Sequence, residues 1–272
     1  MVNGYVARSL EEALEIRTSR EVVPYAGGTD LMVEDRKGVS YLFLKKVPEL
    51  RGITTDDRYV RIGAAVSFTE ALASPLVPQL MKEAVSRIAA PAIRNAGTFG
   101  GNLGNGSAKA DSVLIDFVAD AELRLASKRG ERVVPVDAFY LGRKELALAD
   151  DELIVEVLLP KGGLDRYSYE KVGGRKALAI SRVSFAGLFA VEDGKIANVA
   201  AAFGAVADTV LRFKDIEGTL IGKTIEEASA LKPGYLAAYA ERMTLTRGRV
   251  SAEYRKHVCM KLLEAHLAKF GI

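Results

Sequence analysis

Two glycine-rich stretches carry the residue types best suited to chemistry in this chain. One runs Ala96-Gly97-Thr98-Phe99-Gly100-Gly101-Asn102-Leu103-Gly104-Asn105-Gly106-Ser107. Five of its twelve residues are glycine, none is charged, and only Phe99 is aromatic. Glycine inside a helix or strand costs about 0.5–1 kcal/mol relative to alanine, so the composition predicts neither a helix nor a central strand. It suits backbone that must come close to a partner and present its N–H groups. A phosphate or pyrophosphate is the usual partner, although a plain surface loop has the same composition. The other stretch, Pro24-Tyr25-Ala26-Gly27-Gly28-Thr29-Asp30-Leu31, follows the apolar pair Val22-Val23. It again places paired glycines and a hydroxyl where an extended segment ends. Neither stretch continues into the Gly-Lys-Ser/Thr of a triphosphate loop, and neither is a G-x-G-x-x-G opening a long helix. Held between two such loops, a ligand would be gripped by backbone and small polar groups. That suits the pyrophosphate of a dinucleotide better than a magnesium-bound triphosphate.

Other reactive side chains are sparse. Cys259 is the only cysteine; it can form no intrachain disulfide and cannot by itself hold an iron–sulfur cluster or a structural zinc. His257 and His266, the two histidines, fall on the same predicted helix as Cys259. Packing or solvent exposure is expected there in place of metal binding. With no nucleophile elbow in the chain, a hydrolytic triad finds no support. No catalytic side chain and no metal ligand is therefore expected.

The elements that must position the two stretches are legible in outline. With 272 residues, 49% of them apolar, the chain can form one large domain or two to three smaller ones. A net charge of +3, with lysine and arginine spread along the chain, argues against a nucleic-acid partner. No apolar run reaches the length of a membrane span, and Met1-Val2-Asn3-Gly4-Tyr5 lacks a signal-peptide pattern. A cytoplasmic location is expected. Ser9-Leu10-Glu11-Glu12, Ser67-Phe68-Thr69-Glu70 and Thr224-Ile225-Glu226-Glu227 read as capping boxes that open helices. The third of these helices should run to about Leu231. Strands are predicted at Val22–Tyr25, Tyr41–Leu44, Tyr59–Ala64, Leu123–Leu125, Arg132–Val136 and Ile154–Leu159. A helix over Gln79–Ala90 should be ended by Pro91. Val183–Val191 and Ile196–Val206 should pair through Glu192-Asp193-Gly194-Lys195, since Asp-Gly between apolar strands is a strong hairpin signal. A last helix, Ser251 to about Lys269, should bury Val258, Leu262 and Leu263. Lys161-Gly162-Gly163 is the candidate boundary between domains.

With both stretches in view, Ala26-Gly27-Gly28-Thr29-Asp30-Leu31 and Thr98-Phe99-Gly100-Gly101-Asn102-Leu103, followed by Asp111, resemble the two flavin-binding motifs of a known family. These are the FAD subunits of molybdenum hydroxylases, the xanthine dehydrogenase and carbon monoxide dehydrogenase relatives. Tyr169-Glu170-Lys171-Val172 with Arg175 and Ile180-Ser181 resembles the start of that family's C-terminal domain, and Ser251-Ala252-Glu253-Tyr254-Arg255 its last helix. The resemblance implies an α+β fold. A PCMH-type FAD-binding domain would comprise two α/β subdomains, over residues 1–55 and 56–162. A C-terminal domain over 163–272 would pack a small antiparallel sheet on helices.

The resemblance also implies a cofactor, FAD, and the residues that hold it. Tyr25, Ala26, Gly27, Gly28, Thr29, Asp30 and Leu31 would form one pyrophosphate contact, and Thr98, Phe99, Gly100, Gly101 and Asn102 the other. Asp30 would accept hydrogen bonds from loop N–H groups or a ribose, because a carboxylate repels phosphate. Asp111 falls where the family places an aspartate near the adenosine, with a cap on the following helix as the lesser alternative. Lys171 falls where a lysine approaches the flavin N1–C2=O edge, with a solvated strand lysine as the alternative. The chain departs from the family in lacking the proline of a Ser-Pro after the second motif. The single Cys259 leaves no room for the iron–sulfur cluster that some relatives carry in this subunit. The implied function is an electron-transfer flavoprotein in a heterotrimer. A large molybdopterin subunit would hydroxylate a heterocycle or aldehyde, a small subunit with [2Fe–2S] clusters would relay the electrons, and NAD+ or another acceptor would take them. Ala177 to Ser181, after Arg175-Lys176, fits the Ala-x-x-Ile-Ser of xanthine dehydrogenase-type members and points to a purine enzyme. Two rivals stand beside this reading: a stand-alone flavin oxidase or reductase of the same fold, and a non-catalytic partner subunit that has lost FAD.

Overall fold

Local capping chemistry builds several of the helices that frame the chain. The computed structural model describes residues 3–34 and 37–272; Met1 and Val2, part of the N-terminal stretch read above, lie outside them. Ser9 accepts the amide of Glu12 and opens the helix Leu10–Ser19. The Glu12 carboxylate returns to the amide of Arg8 instead of Ser9. Ser67 and Thr224 complete both halves of their capping boxes. Asp193 and Gly194 both adopt positive φ between the strands Val183–Glu192 and Lys195–Gly204, as a two-residue hairpin turn requires.

The chain forms two compact units. The first contains Met1–Pro78, Ile88–Ser107 and Asp120–Lys161. Its three-stranded sheet is parallel, in the order Gly4–Val6, Tyr41–Phe43, Val23–Tyr25. The helix Leu10–Ser19 carries the chain from Gly4–Val6 to Val23–Tyr25, which flank Tyr41–Phe43 on its two sides. A five-stranded antiparallel sheet follows in the order Ile53–Thr55, Tyr59–Gly63, Leu153–Pro160, Glu122–Ser127, Gly130–Pro135. Leu153–Pro160 lies at its centre and is buried along nearly its whole length, which explains an apolar run broken only by Glu156, itself paired with Arg61 and Arg124. Leu14, Leu42 and Leu50 share one apolar core with Leu153 and Val155.

The second unit gathers Gln79–Arg87, Ala108–Ala119 and Gly162–Ile272. Two helices from within the 56–162 stretch, Gln79–Ser86 and Asp111–Val118, thus pack with the C-terminal sheet. That sheet is antiparallel, in the order Tyr167–Val172, Val183–Glu192, Lys195–Gly204, Leu211–Arg212. The helices Ile225–Arg242 and Ala252–Lys269 share its core through Phe185, Phe203, Tyr239 and Leu263.

The structure corrects four readings of local structure. The helix from Gln79 stops at Ser86, and Pro91 starts the next one, Pro91–Ala96; proline fits the first helical position, where its missing N–H goes unneeded. The helix opened by Thr224 passes Leu231 and Pro233 to reach Arg242, anchored by the buried rings of Tyr235 and Tyr239. The last helix fully buries Arg255, Cys259, Leu263, His266 and Leu267, while Val258 and Leu262 are only partly covered. His266 bonds Ser168 Oγ at 2.9 Å through Nδ1, and burial pushes its pKa down to about 4, so the ring is a neutral packing group. The fourth correction concerns the larger glycine stretch: Phe99–Gly104 is a short helix. Among the described residues, no helix is long and apolar enough to cross a membrane.

Candidate functional site

The two glycine stretches meet in the first unit and line one cleft of about 370 Å³. Gly27 is the point of contact. A Cβ there would sit 1.9 Å from the Ala96 carbonyl oxygen, so only glycine lets the loops touch. Gly100 is held in the same way against Ala64, where a Cβ would meet Ala64 Cβ at 2.6 Å. A side-chain bond ties the loops as well: Asn105 Nδ2 donates to Asp30 Oδ2 at 3.1 Å. Asp30 therefore accepts from a loop N–H, but from a side-chain amide seventy-five positions away in sequence.

The backbone amides of the two stretches have different fates. Phe99 N–H donates to the Val66 carbonyl at 3.2 Å and Gly100 N–H to that of Ala64 at 2.8 Å. Gly101 N–H goes to Thr98 Oγ1 at 3.1 Å, and Asn102 N–H to the Thr98 carbonyl at 2.9 Å. Thr98 thus caps the helix Phe99–Gly104, and these bonds are why a glycine-rich run is helical here. By contrast, the amides of Gly27, Gly28, Thr29 and Asp30 donate to no described residue. Presentation of N–H groups, read from sequence as common to both stretches, belongs to the first. Thr98→Ala should cost the cofactor-free chain about 1 kcal/mol of stability through loss of this cap, measurable by urea denaturation; an unchanged midpoint would refute the capping role.

Of the residues expected to hold a cofactor, Ala26, Gly27, Gly28, Thr29, Asp30, Leu31, Thr98, Gly100, Gly101 and Asn102 line the cleft. Two side chains do not. Tyr25 packs on Tyr41 and Phe43, and Phe99 is fully buried against Phe68, 5.3 Å between ring centroids. The cleft also takes in residues that carried no sequence signal, among them Arg17, Ala64, Lys144 and Ile154. Its charged walls are mostly committed: Lys144 Nζ lies 2.7 Å from Glu34 Oε1, and Glu152 accepts from Arg132 at 2.6 Å.

Asp111 and Lys171 come together in the second unit. Asp111 is the first residue of its helix, whose cap is Ala110, so the helix-cap reading fails. Lys171 Nζ donates to Asp111 Oδ2 at 2.7 Å and to the Arg87 carbonyl at 2.8 Å. Ser181 Oγ donates to Asp111 Oδ1 at 3.0 Å. The pair is buried, and Lys171 is not a solvated strand lysine. Burial raises the Asp111 pKa, against the pull of the Lys171 charge. Ser181→Ala should cost about 1–2 kcal/mol in chemical denaturation of the full chain; a smaller change than the error of the fit would contradict this hydrogen bond.

Comparison with known proteins agrees with this geometry. The family model for the FAD binding domain in molybdopterin dehydrogenase matches residues 1–162, and that for the CO dehydrogenase flavoprotein C-terminal domain matches residues 168–270. The chain belongs to the FAD subunits of the molybdenum hydroxylases. This flavoprotein subunit is 31% identical to the xanthine dehydrogenase FAD-binding subunit of Escherichia coli O157:H7 over 245 residues, covering 86% of this chain and 83% of the other. It is 31% identical to the nicotinate dehydrogenase FAD-subunit of Eubacterium barkeri, with 93% and 90% covered. A solved chain of carbon monoxide dehydrogenase from Hydrogenophaga pseudoflava superposes with a TM-score of 0.88 at 26% identity, covering 98% of this chain and 96% of that one. The chain is accordingly an oxidoreductase subunit, and its cofactor is FAD. The cleft fits such a group: four uncommitted amides in a row suit a pyrophosphate, and Gly101 leaves open the space a side chain would fill.

Proposed function

We propose that this FAD subunit takes electrons from the [2Fe–2S] clusters of a small partner subunit and passes them to NAD+ or another acceptor. The oxidation that supplies them would occur on a large molybdopterin subunit. The observation that carries this reading is the convergence of both glycine stretches on one cleft with the Gly27–Asp30 amides uncommitted. Those amides would hold the FAD pyrophosphate, with Asn102 and Thr98 on the opposite wall. Glycine at 27 and 28 lets backbone donors approach without a lysine. FAD, when bound, supplies the capacity to accept two electrons and release them together; the protein binds, orients and shields it.

The chain's own chemistry favours this over a stand-alone oxidase. The cleft carboxylates Asp30, Glu34 and Glu152 are each engaged by another side chain, so none stands ready as a general base. A lone, buried Cys259 means that clusters must come from another chain. Relatives named for xanthine and for nicotinate resemble this subunit to the same degree, as expected if the reducing substrate is chosen elsewhere in the complex. Ala177 to Ser181 supports a purine-type partner. The Lys171 contact to the flavin remains part of this proposal; Asp111, bonded to Lys171 at 2.7 Å, would then lie on the flavin side and not at the adenosine. Two of the three Lys171 N–H groups are already committed, which leaves one for a flavin oxygen and a charge that Asp111 balances.

The test is a visible spectrum of the purified chain, with heat release and identification of the chromophore, followed by anaerobic addition of NADH. Flavin bands near one FAD per chain that bleach with NADH support the whole reading. Flavin that ignores NADH removes NAD+ as acceptor. A colourless chain that takes up no added FAD overturns the cofactor-binding reading.

A further inference from the structure

Arg17 is the one charged residue of the cleft whose guanidinium has no bonded partner side chain among the described residues. It sits in the last turn of the helix Leu10–Ser19 and lines the cleft. Its Nη1 donates to the Val22 carbonyl, and its Nε is buried without a partner. Nη2 makes no hydrogen bond to a described residue. Asp150 and Asp151 act on it through space without bonding it. A guanidinium pinned at one nitrogen and free at another is a positioned donor awaiting an acceptor.

Its place along the cleft identifies that acceptor. Val22 precedes the strand Val23–Tyr25, and the uncommitted amides follow the strand's other end. Three strand residues and Ala26 stand between the Val22 carbonyl and the Gly27 amide, about 13 Å of chain at 3.2–3.4 Å per residue, which sets Arg17 toward the other end of the cleft from the group those amides bind. Leu50 and Leu153 give the cleft a buried apolar wall that shares one core with Leu14 and Val22, the neighbours of Arg17. The flavin ring must stay open to the acceptor that touches it, whereas a purine ring needs no access and is well matched by an apolar wall with one fixed donor.

Resting on the FAD reading above, we propose that Arg17 is a cofactor-binding residue that donates from Nη2 to a ring nitrogen of the adenine, at the opposite end of the cleft from the pyrophosphate-binding amides. The guanidinium both orients the base and supplies a charged donor in a partly buried setting.

The test measures FAD binding by flavin fluorescence, and ADP by competition, on the full chain stripped of cofactor. Arg17→Met should weaken both ligands by the same factor, about 10- to 100-fold. Arg17→Lys keeps a donor for the Val22 carbonyl but loses the second arm; it should keep the wild-type melting temperature and show a similar loss. Equal wild-type and variant affinities overturn the proposal, as does a loss confined to FAD, which would place Arg17 against the riboflavin half. Failure of ADP to displace FAD from the wild-type chain also overturns it. A wild-type chain that binds no FAD overturns the parent reading, a result distinct from all of these.

Discussion

Gly101→Arg yields a folded chain that purifies without FAD. Gly101 lines the cleft, and a Cβ placed on it would meet only Thr98 Oγ1 at 3.0 Å and Ala26 Cβ at 3.9 Å. The backbone therefore tolerates a side chain, and the only room for its length is the cleft itself. An arginine side chain there would compete for volume with the cofactor across both glycine loops. A loss of at least about 100-fold in affinity follows from so direct an exclusion, enough to take occupancy from near full to near none at working concentrations. The measurement is the ratio of flavin to protein absorbance, with circular dichroism and melting temperature as controls for fold. Full flavin occupancy in this variant would remove the cleft from the cofactor site.

Gly27→Ala provides the contrast. Its added methyl would collide with the Ala96 carbonyl at 1.9 Å, so the loops must part and the chain loses stability together with flavin. The two substitutions separate glycine that admits a ligand from glycine that admits another backbone. Equal stability losses in both variants would contradict this division.

The second large effect concerns pH. Asp116, in the helix Asp111–Val118, is fully buried, and neither carboxyl oxygen has a hydrogen-bond partner. Burial pushes its pKa up to about 8. The folded chain thus holds Asp116 protonated while the unfolded chain releases that proton near pH 4. Unfolding is favoured progressively as pH rises from about 4 to about 8, and the penalty levels off above that. Asp116→Asn keeps the shape and removes the titration. Relative to this variant, the native chain should lose about 4 kcal/mol of stability between pH 5 and pH 9. Urea denaturation of both proteins at pH 5, 7 and 9 reads this directly. Parallel pH profiles would mean that Asp116 finds a partner or water in solution. A carboxylic acid kept neutral in the core of the second unit is a liability that a catalytic role would excuse, yet no neighbouring charge acts on it.

Much of the architecture was legible because the forces that make it act over a few residues. Ser9, Ser67 and Thr224 cap helices through bonds three positions away, and Asp193-Gly194 turns a hairpin with its own backbone angles. The largely apolar run at Ile154–Leu159 marked a strand, and its central place came with the sheet order. The two glycine motifs, by type and order, pointed to FAD, and the family comparison bears that out. Misreadings occurred where a local rule met a distant partner. Glycine lowers helix propensity at 97–106, but Thr98 and the carbonyls of Ala64 and Val66 supply the bonds that hold Phe99–Gly104 in a helix. Phe99 sits inside a ligand motif, yet its ring packs on Phe68.

Sequence alone determined the cofactor class, the order of the elements and the absence of a sulfur ligand set in this chain. Residue types and short spacings encode the last two directly; the cofactor followed from the resemblance of the two glycine motifs to a known family. The tertiary structure decided which amides are free, which glycines face a backbone instead of a ligand, and that Asp111 is bound by Lys171 from sixty positions away. It also decided that Arg17 belongs to the cleft. Such pairings depend on strand order and sheet register, which bring distant positions within bonding range only after the chain has folded.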